Sequence, residues 1–180
     1  MTELTTERLT LRPWTPADRE PFAELNADPE VMEHFPSTLD RAGSDALADR
    51  IEMRMAHQGW GLWVVEAPDG RFAGIAGLNP VPPEVRSLLR GTPPVEVGWR
   101  FARWAWGHGW ATEAASAAVR HGFEMLGLVE IVSFTATGNL RSRAVMERLG
   151  MARDEADDFD HPALPVDSHL RHHVLYRLPR

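Results

Sequence analysis

Cysteine is absent from the 180 residues of the chain. The sequence can therefore form neither a disulfide nor a thiolate metal site, and a catalytic thiol is excluded as well. Basic residues are also outnumbered by acidic ones, 19 against 26, which gives a net charge of −7. Because nucleic acids and anionic membranes favour a basic face, this balance gives no support to binding of either.

Long apolar runs are missing too. None approaches the length that spans a membrane, and residues 1–8 lack the apolar region of a signal peptide, so we expect a cytoplasmic protein. There is no internal repeat, low-complexity segment or linker, and the length suffices for one buried core, so we expect a single domain over residues 1–180. The eight histidines include no pattern such as HExxH, so a metal site is not expected.

The clearest local pattern is a glycine turn between a strand and a helix. An alternating apolar run, Val95–Phe101, precedes Gly107 and Gly109, and an alanine-rich helical pattern then continues to about Leu126. The first-turn N–H groups of a helix lack partners and the helix dipole adds partial positive charge, so this order of elements attracts a phosphate. A tight turn without a ligand produces the same pattern, and the glycines alone are a weak signal.

The rest of the chain alternates between strand and helix patterns. Before the glycine turn we expect a strand at 8–12, a helix capped by Thr15, a helical turn at 31–35, an amphipathic helix over 40–57, a hairpin of 62–66 with 72–78, and a proline-rich loop at 80–94. After it we expect a strand at 130–135, a helix capped by Asn139, and tail strands within 151–159 and 170–178. This order predicts an α+β (mixed α/β) domain with a largely antiparallel sheet.

Four stretches carry a resemblance that covers nearly the whole chain. They are Thr6–Pro13, Val97–Trp99, Trp106–Ala114 and Asn139–Met151. In their order and spacing they resemble the GNAT N-acetyltransferases, and specifically the RimJ/RimL-like branch. The resemblance implies a GNAT-like sheet of about seven strands flanked by helices and splayed between its fourth and fifth strands. It also implies acetyl-CoA as the cosubstrate, bound in that opening.

Within this resemblance the glycine turn becomes the pyrophosphate site of acetyl-CoA. The binding groups would be backbone N–H groups, which neutralise a diphosphate without a basic protein. The strand end after Arg100 is expected to pair with the pantetheine arm as an added strand would, and a helix start near 139–142 is expected beside that arm. The complete set of expected cofactor-binding residues is Phe101, Ala102, Arg103, Trp106, Gly107, His108, Gly109, Trp110, Ala111, Thr112, Asn139 and Ser142.

Glu96, Ser142 and Asp160 are the candidate catalytic residues. By resemblance, Ser142 would protonate the departing CoA thiolate. A partly buried carboxylate at Glu96 could accept a proton from the amine or hold a water that does, although a solvent-facing strand residue gives the same pattern. Asp160, with its neighbours Asp158 and His161, lies close to where RimL-like enzymes place a catalytic glutamate, and is the rival.

The implied activity is transfer of an acetyl group from acetyl-CoA to an amine, either a protein N-terminal α-amine or a small-molecule amine, by direct attack on the thioester. No covalent enzyme intermediate is required, which fits the absence of cysteine. The alternatives are a non-catalytic acetyl-CoA-binding sensor or interaction module, and an acyltransferase with a different acyl-CoA or acceptor. Because dimers are common in this branch, we expect a homodimer.

Two further groups of side chains have possible roles at the ends of the cofactor slot. Trp14, Trp60 and Trp63 are expected mainly in the core, with one or two of them lining the acceptor pocket. Arg141 and Arg143 could steer the 3′-phosphate of the nucleotide, although solvated helix arginines are commoner.

Overall fold

The computed structural model describes residues 2–91 and 95–180, and within them the chain forms one sheet of nine strands. The strands are β1 (Leu4–Thr5), β2 (Thr10–Arg12), β3 (Leu62–Glu66), β4 (Phe72–Pro80), β5 (Val95–Phe101), β6 (Glu130–Ala136), β7 (Ala152–Arg153), β8 (Phe159–Asp160) and β9 (His172–Pro179). The helices are α1 (Arg19–Ala27), α2 (Arg41–Gln58), α3 (Pro83–Arg86), α4 (Trp110–Glu124) and α5 (Leu140–Arg148). The strand order is β1-β2-β3-β4-β5-β6-β9-β7, with β8 also paired to β9. This open sheet with flanking helices confirms the predicted fold class.

The sheet opens where β5 meets β6. These two strands are parallel, unlike the other strand pairs of the described residues, and they pair at a single register position, Glu96 with Val132. On its other side β5 stays paired with β4 as far as Phe101. The carboxyl half of β5 therefore presents an open edge, which is the predicted splay. It falls between the fifth and sixth strands because the two-residue strand β1 adds one to the count.

The helices pack on opposite faces of the sheet around β5. The odd-numbered residues Val95, Val97 and Phe101 are buried in the main core, together with the alanine-rich face of α4. Small residues let α4 approach closely, since a Cβ added at Gly122 would lie 2.8 Å from Ile131 Cδ1. Successive strand side chains alternate, so the even-numbered ones point the other way, towards α1.

Two local predictions are wrong. Residues 31–34 form hydrogen-bonded turns that do not extend into a helix: the Met32 N–H donates to the Asp28 carbonyl at 3.0 Å, and the Phe35 N–H donates to the Met32 carbonyl at 2.9 Å. The tail stretch 151–159 is divided into β7 and β8, because Asp154 Oδ1 accepts from the Ala156 N–H at 3.0 Å and starts a 3₁₀ turn.

The predicted loop at 80–94 contains the short helix α3, and its residues 92–94 lie outside the described residues. Of the helices described, none combines the length and apolar character needed to cross a membrane.

Candidate active site

An open cavity of about 890 Å³ lies at the splay of the sheet. Four segments supply most of its lining: the carboxyl end of β5, the glycine turn with the start of α4, helix α5, and the connection between α1 and α2 near residues 30–35. Arg8 adds to the lining from the N-terminal segment. The first three segments are the ones in which the sequence predicts cofactor-binding residues. The fourth was not predicted to contribute.

The glycine turn has the backbone geometry of an anion site. Gly107 and Gly109 have φ values of +79° and +78°, in the left-handed region that favours glycine. Gly109 is the N-cap of α4, and no side chain caps the helix there. In the described part of the chain no group accepts a hydrogen bond from the N–H groups of Trp110, Ala111 and Thr112. These three residues line the cavity, so their donors are free for a phosphate.

The N-terminal segment holds this turn in place. Glu113, in the first turn of α4, accepts hydrogen bonds from Thr6 Oγ1 at 2.6 Å, from the Arg8 N–H at 2.9 Å and from Arg8 Nε at 2.8 Å. Arg8 Nη1 also donates to the His108 carbonyl at 3.0 Å. The His108 ring stacks on Trp110, with centroids 4.7 Å apart, and is not among the cavity-lining residues.

The open edge of β5 ends slightly before the predicted pantetheine segment. The Ala102 N–H donates to the Ala73 carbonyl at 2.9 Å, towards β4, so by alternation the Phe101 peptide groups point away from β4. The Phe101 carbonyl already accepts a hydrogen bond from Trp106 Nε1 at 2.9 Å. Of the two Phe101 peptide groups, the N–H is therefore the one available to bind the pantetheine arm. Arg103 begins a 3₁₀ turn, and its side chain binds acidic residues of the α1–α2 connection.

The start of α5 forms the wall opposite this edge. Asn139 caps the helix, accepting from the Ser142 N–H at 3.2 Å, and its Nδ2 donates to Thr135 Oγ1 at 2.9 Å. These bonds fix the Asn139 side chain and leave one N–H of its amide group free. Asn139 and Ser142 both line the cavity, and among the described residues the Ser142 hydroxyl has no hydrogen-bond partner.

Glu96 lies at the apex of the splay, at the position where β5 and β6 pair. Its Oε1 accepts a hydrogen bond from Asn79 Nδ2 at 2.9 Å, and the Asn79 oxygen in turn accepts from Arg54. Burial raises the pKa of Glu96 to about 7. The hydrogen bond from Asn79 and the charge of Arg54 act in the opposite direction and lower this pKa, but their effect is smaller. Glu96 does not line the cavity itself. Arg100, four residues further along β5 and on the same strand face, does line it. A carboxyl group with such a pKa is suited to proton transfer near neutral pH.

Asp160 has a different environment. It lies on β8 with its side chain 55% exposed, paired with His172 at 3.1 Å and with Arg171 at 3.2 Å. Its hydrogen bonds to these two partners lower its pKa, which makes it a weaker base. Its neighbours are also engaged elsewhere: Asp158 binds Arg153, and His161 packs near Phe134 and Phe159. Like Glu96, none of Asp158, Asp160 and His161 lines the cavity, so the two candidates differ in burial and pKa.

The tryptophans that line the cavity are Trp99, Trp106 and Trp110, instead of the three predicted near the acceptor. Trp63 is fully buried and Trp14 is 9% exposed, so both belong to the core. This is the placement expected for most of the three tryptophans, and Trp60 is half-buried against the same core.

Of the two arginines expected near the nucleotide, Arg141 lines the cavity and lies over the Trp106 ring, 4.3 Å from its centroid. Arg143 instead donates to the Thr137 carbonyl at 3.1 Å. Arg100 also lines the cavity and was not among the predicted site residues, although its strand face, shared with Glu96, could be predicted from the alternation of β5.

Residues 8–152 match the family model of the acetyltransferase (GNAT) domain. The chain belongs to the GNAT acetyltransferase family. It is 37% identical over 156 residues to the FsC-acetyl coenzyme A-N(2)-transacetylase of Aspergillus fumigatus, a match that covers 84% of this chain and 66% of that protein. The predicted enzyme class, an acetyl-CoA-dependent N-acetyltransferase, is confirmed by the family and this relative.

Solved structures of acetyltransferases share the fold. An acetyltransferase from Agrobacterium tumefaciens has a TM-score of 0.78 and 28% identity, covering 100% of this chain and 95% of that one. RimL, the ribosomal L7/L12 α-N-protein acetyltransferase in complex with coenzyme A, has a TM-score of 0.77 over 99% of this chain and 98% of its own. At 12% identity the RimL likeness concerns the fold alone.

Proposed function

We propose that the chain transfers the acetyl group of acetyl-CoA to a primary amine by direct attack on the thioester, with Glu96 as the group that accepts the proton of the amine. The observation that carries this proposal is the position of Glu96 at the apex of the splay with a pKa of about 7. The acceptor is a protein N-terminal α-amine or a small-molecule amine.

A base is needed because amines are mostly protonated at neutral pH: an α-amino group has a pKa of about 7.7–8.0 and a lysine of about 10.4. The neutral nitrogen attacks the thioester carbonyl carbon, the carbon–nitrogen bond forms and the carbon–sulfur bond breaks. As the amide forms, the nitrogen loses one proton and the departing CoA sulfur gains one, so the protons of the transfer step balance. When the amine starts as an ammonium ion, a further proton goes to Glu96, directly or through one water.

The described contacts support a matching placement of the cosubstrate. The pyrophosphate would bind the free N–H groups at the start of α4, and the pantetheine arm would run along the open edge of β5 between Trp99 and Phe101. Ser142 would then face the sulfur from the other wall. A thiol with a pKa of about 8.5, by analogy with cysteine, leaves readily, so a weak acid such as a serine hydroxyl suffices.

The test compares Glu96→Gln with Asp160→Asn in a CoA-release assay with a panel of amines. Glutamine can still accept the Asn79 hydrogen bond, so Glu96→Gln keeps the local packing while removing the titrating group. We expect it to lower kcat by about 10²–10⁴-fold with the acetyl-CoA Kd unchanged, whereas Asp160→Asn changes neither value.

Each other outcome has a definite meaning. Loss of kcat in Asp160→Asn alone would move the base to the tail of the chain. Tight acetyl-CoA binding with no turnover of any amine by the unmodified protein would leave the non-catalytic binding module as the better description.

A further inference from the structure

Arg100 is a half-buried cation that the rest of the described protein leaves without a counter-ion. Its guanidinium lies over the Phe35 ring, 4.1 Å from the centroid, and its Nη1 donates to the side-chain oxygen of Asn26. Its Nε is buried and has no hydrogen-bond partner among the described residues. Burial is the cause that lowers the pKa of Arg100 to about 10, with no nearby carboxylate to oppose it.

The missing counter-ion does not reflect a shortage of acidic residues in the cavity. Three carboxylates line it, and each is already paired with a different arginine: Glu30 with Arg103 at 2.6 Å, Glu33 with Arg141 at 3.5 Å, and Glu113 with Arg8 at 2.6 Å. Leaving a buried charge unpaired is costly, so a site with this arrangement is stabilised when an anion enters it.

The phosphates of the cosubstrate are unsuited to this role. Their proposed site is the start of α4, whereas Arg100 points from the other face of β5, where it meets Asn26 of α1 and Phe35 of the α1–α2 connection. Arginine presents a planar set of donors that matches a carboxylate with two parallel hydrogen bonds. We infer that the acetyl acceptor carries a carboxylate as well as its amine, and that Arg100 binds this carboxylate. The inference rests on the proposed function.

The two charged groups of β5 fit a zwitterion. Glu96 and Arg100 share a strand face with only Gly98 between them, so their Cα atoms are roughly 13 Å apart, and both side chains are long enough to shorten that gap. An amino acid would place its amine towards Glu96 and its carboxylate at Arg100. A polyamine would bring a second cation against Arg100, and a peptide N-terminus has an amide where the carboxylate is required.

The experiment uses acceptors that differ only in the carboxylate. Amino acids with two to six carbons between amine and carboxylate are compared with their carboxamides and with the corresponding diamines, measured as kcat/KM from CoA release. We expect kcat/KM of each acid to exceed that of its amide by about tenfold or more, mainly through KM, since hydrogen bonds to charged groups are strong.

The Arg100→Met variant should lower kcat/KM of the acid to that of the amide and leave kcat/KM of the amide nearly unchanged. Arg100→Lys should recover part of the preference for the acid over the amide, because lysine keeps the positive charge but lacks the paired N–H donors of a guanidinium.

A binding measurement separates failure of this inference from failure of the proposed function. The amino acid is titrated into the protein saturated with CoA to measure its Kd. In Arg100→Met this Kd should rise by at least the factor by which kcat/KM falls. Arg50→Gln, on the exposed face of α2, is the matched control and should leave both values unchanged. The acetyl-CoA Kd and the melting temperature report whether each variant is folded.

Equal turnover of acids and amides by the unmodified protein would overturn the carboxylate inference while the acetyltransferase proposal stands. Binding of the amino acid that depends on Arg100, without any turnover, would overturn the proposed reaction and retain the carboxylate site. If Arg100→Met does not fold, the acid-to-amide ratio of the unmodified protein and of Arg100→Lys decides the question.

Discussion

Glu96→Gln should make the protein more stable above pH 7, while it removes the proposed base. The pKa of Glu96 in the folded protein is raised from an ordinary value of 4.5 to about 7 by burial. Between these two values the unfolded chain has already lost the proton that the folded protein keeps. Folding stability therefore falls as pH rises through this window, because the folded state binds more protons there.

The size of the effect follows from the shift. A difference of 2.5 pKa units, from 4.5 to about 7, corresponds to about 3 kcal/mol of lost stability once the pH exceeds both values. Glutamine has no charge to bury at any pH, so the variant avoids this cost. For a protein of this size, about 3 kcal/mol amounts to roughly 6–12 °C in melting temperature.

The assay is urea unfolding of the unmodified protein and of Glu96→Gln at pH 4.5, 6 and 8. Other carboxylates titrate in this range as well, but they do so equally in both proteins, so the difference between the two unfolding free energies isolates Glu96. We expect a difference near zero at pH 4.5 that grows to about 3 kcal/mol in favour of the variant at pH 8. A difference that does not change with pH would refute the raised pKa and, with it, the reason for choosing Glu96 as the base.

Two further predictions concern the cosubstrate. Ser142→Ala should lower kcat by about tenfold or less with an unchanged acetyl-CoA Kd, because the thiolate leaves with modest assistance; a Kd change of the same size would assign Ser142 to binding instead. Gly109→Ala should raise the acetyl-CoA Kd, measured by calorimetry, and cost about 1 kcal/mol of stability, since its φ of +78° is unfavourable for a residue with a Cβ. Gly138→Ala is its control, having open space and no positive φ, and an equal loss of affinity there would contradict the assignment of the glycine turn.

Local features were predictable because their causes are local. Gly107 and Gly109 adopt positive φ values, and the helix that follows begins at the next residue, so strand, turn and helix lie within one short stretch. Asn139 caps α5 as expected, because the bond to the Ser142 N–H spans only three residues. The predicted tail strand over 151–159 is interrupted for an equally local reason, which is the turn that Asp154 forms with Ala156.

The neighbourhood of each charged side chain was not predictable in the same way. Glu96 and Asp160 are both acidic residues in strand patterns, yet burial raises the pKa of one and hydrogen bonds to His172 and Arg171 lower that of the other. Their neighbours come from distant parts of the chain, such as Asn79 for Glu96. Periodicity and spacing carry no information about such contacts.

The sequence by itself determined the family, the order of the elements and the position of the glycine turn, because these depend on short-range backbone preferences and on motifs that remain recognisable in a single chain. Only the tertiary structure decided which carboxyl group is buried at the splay and that Arg100 lies without a counter-ion between Asn26 and Phe35. Burial and charge pairing are sums over side chains brought together by folding, so they exist only once the sheet and its helices are packed.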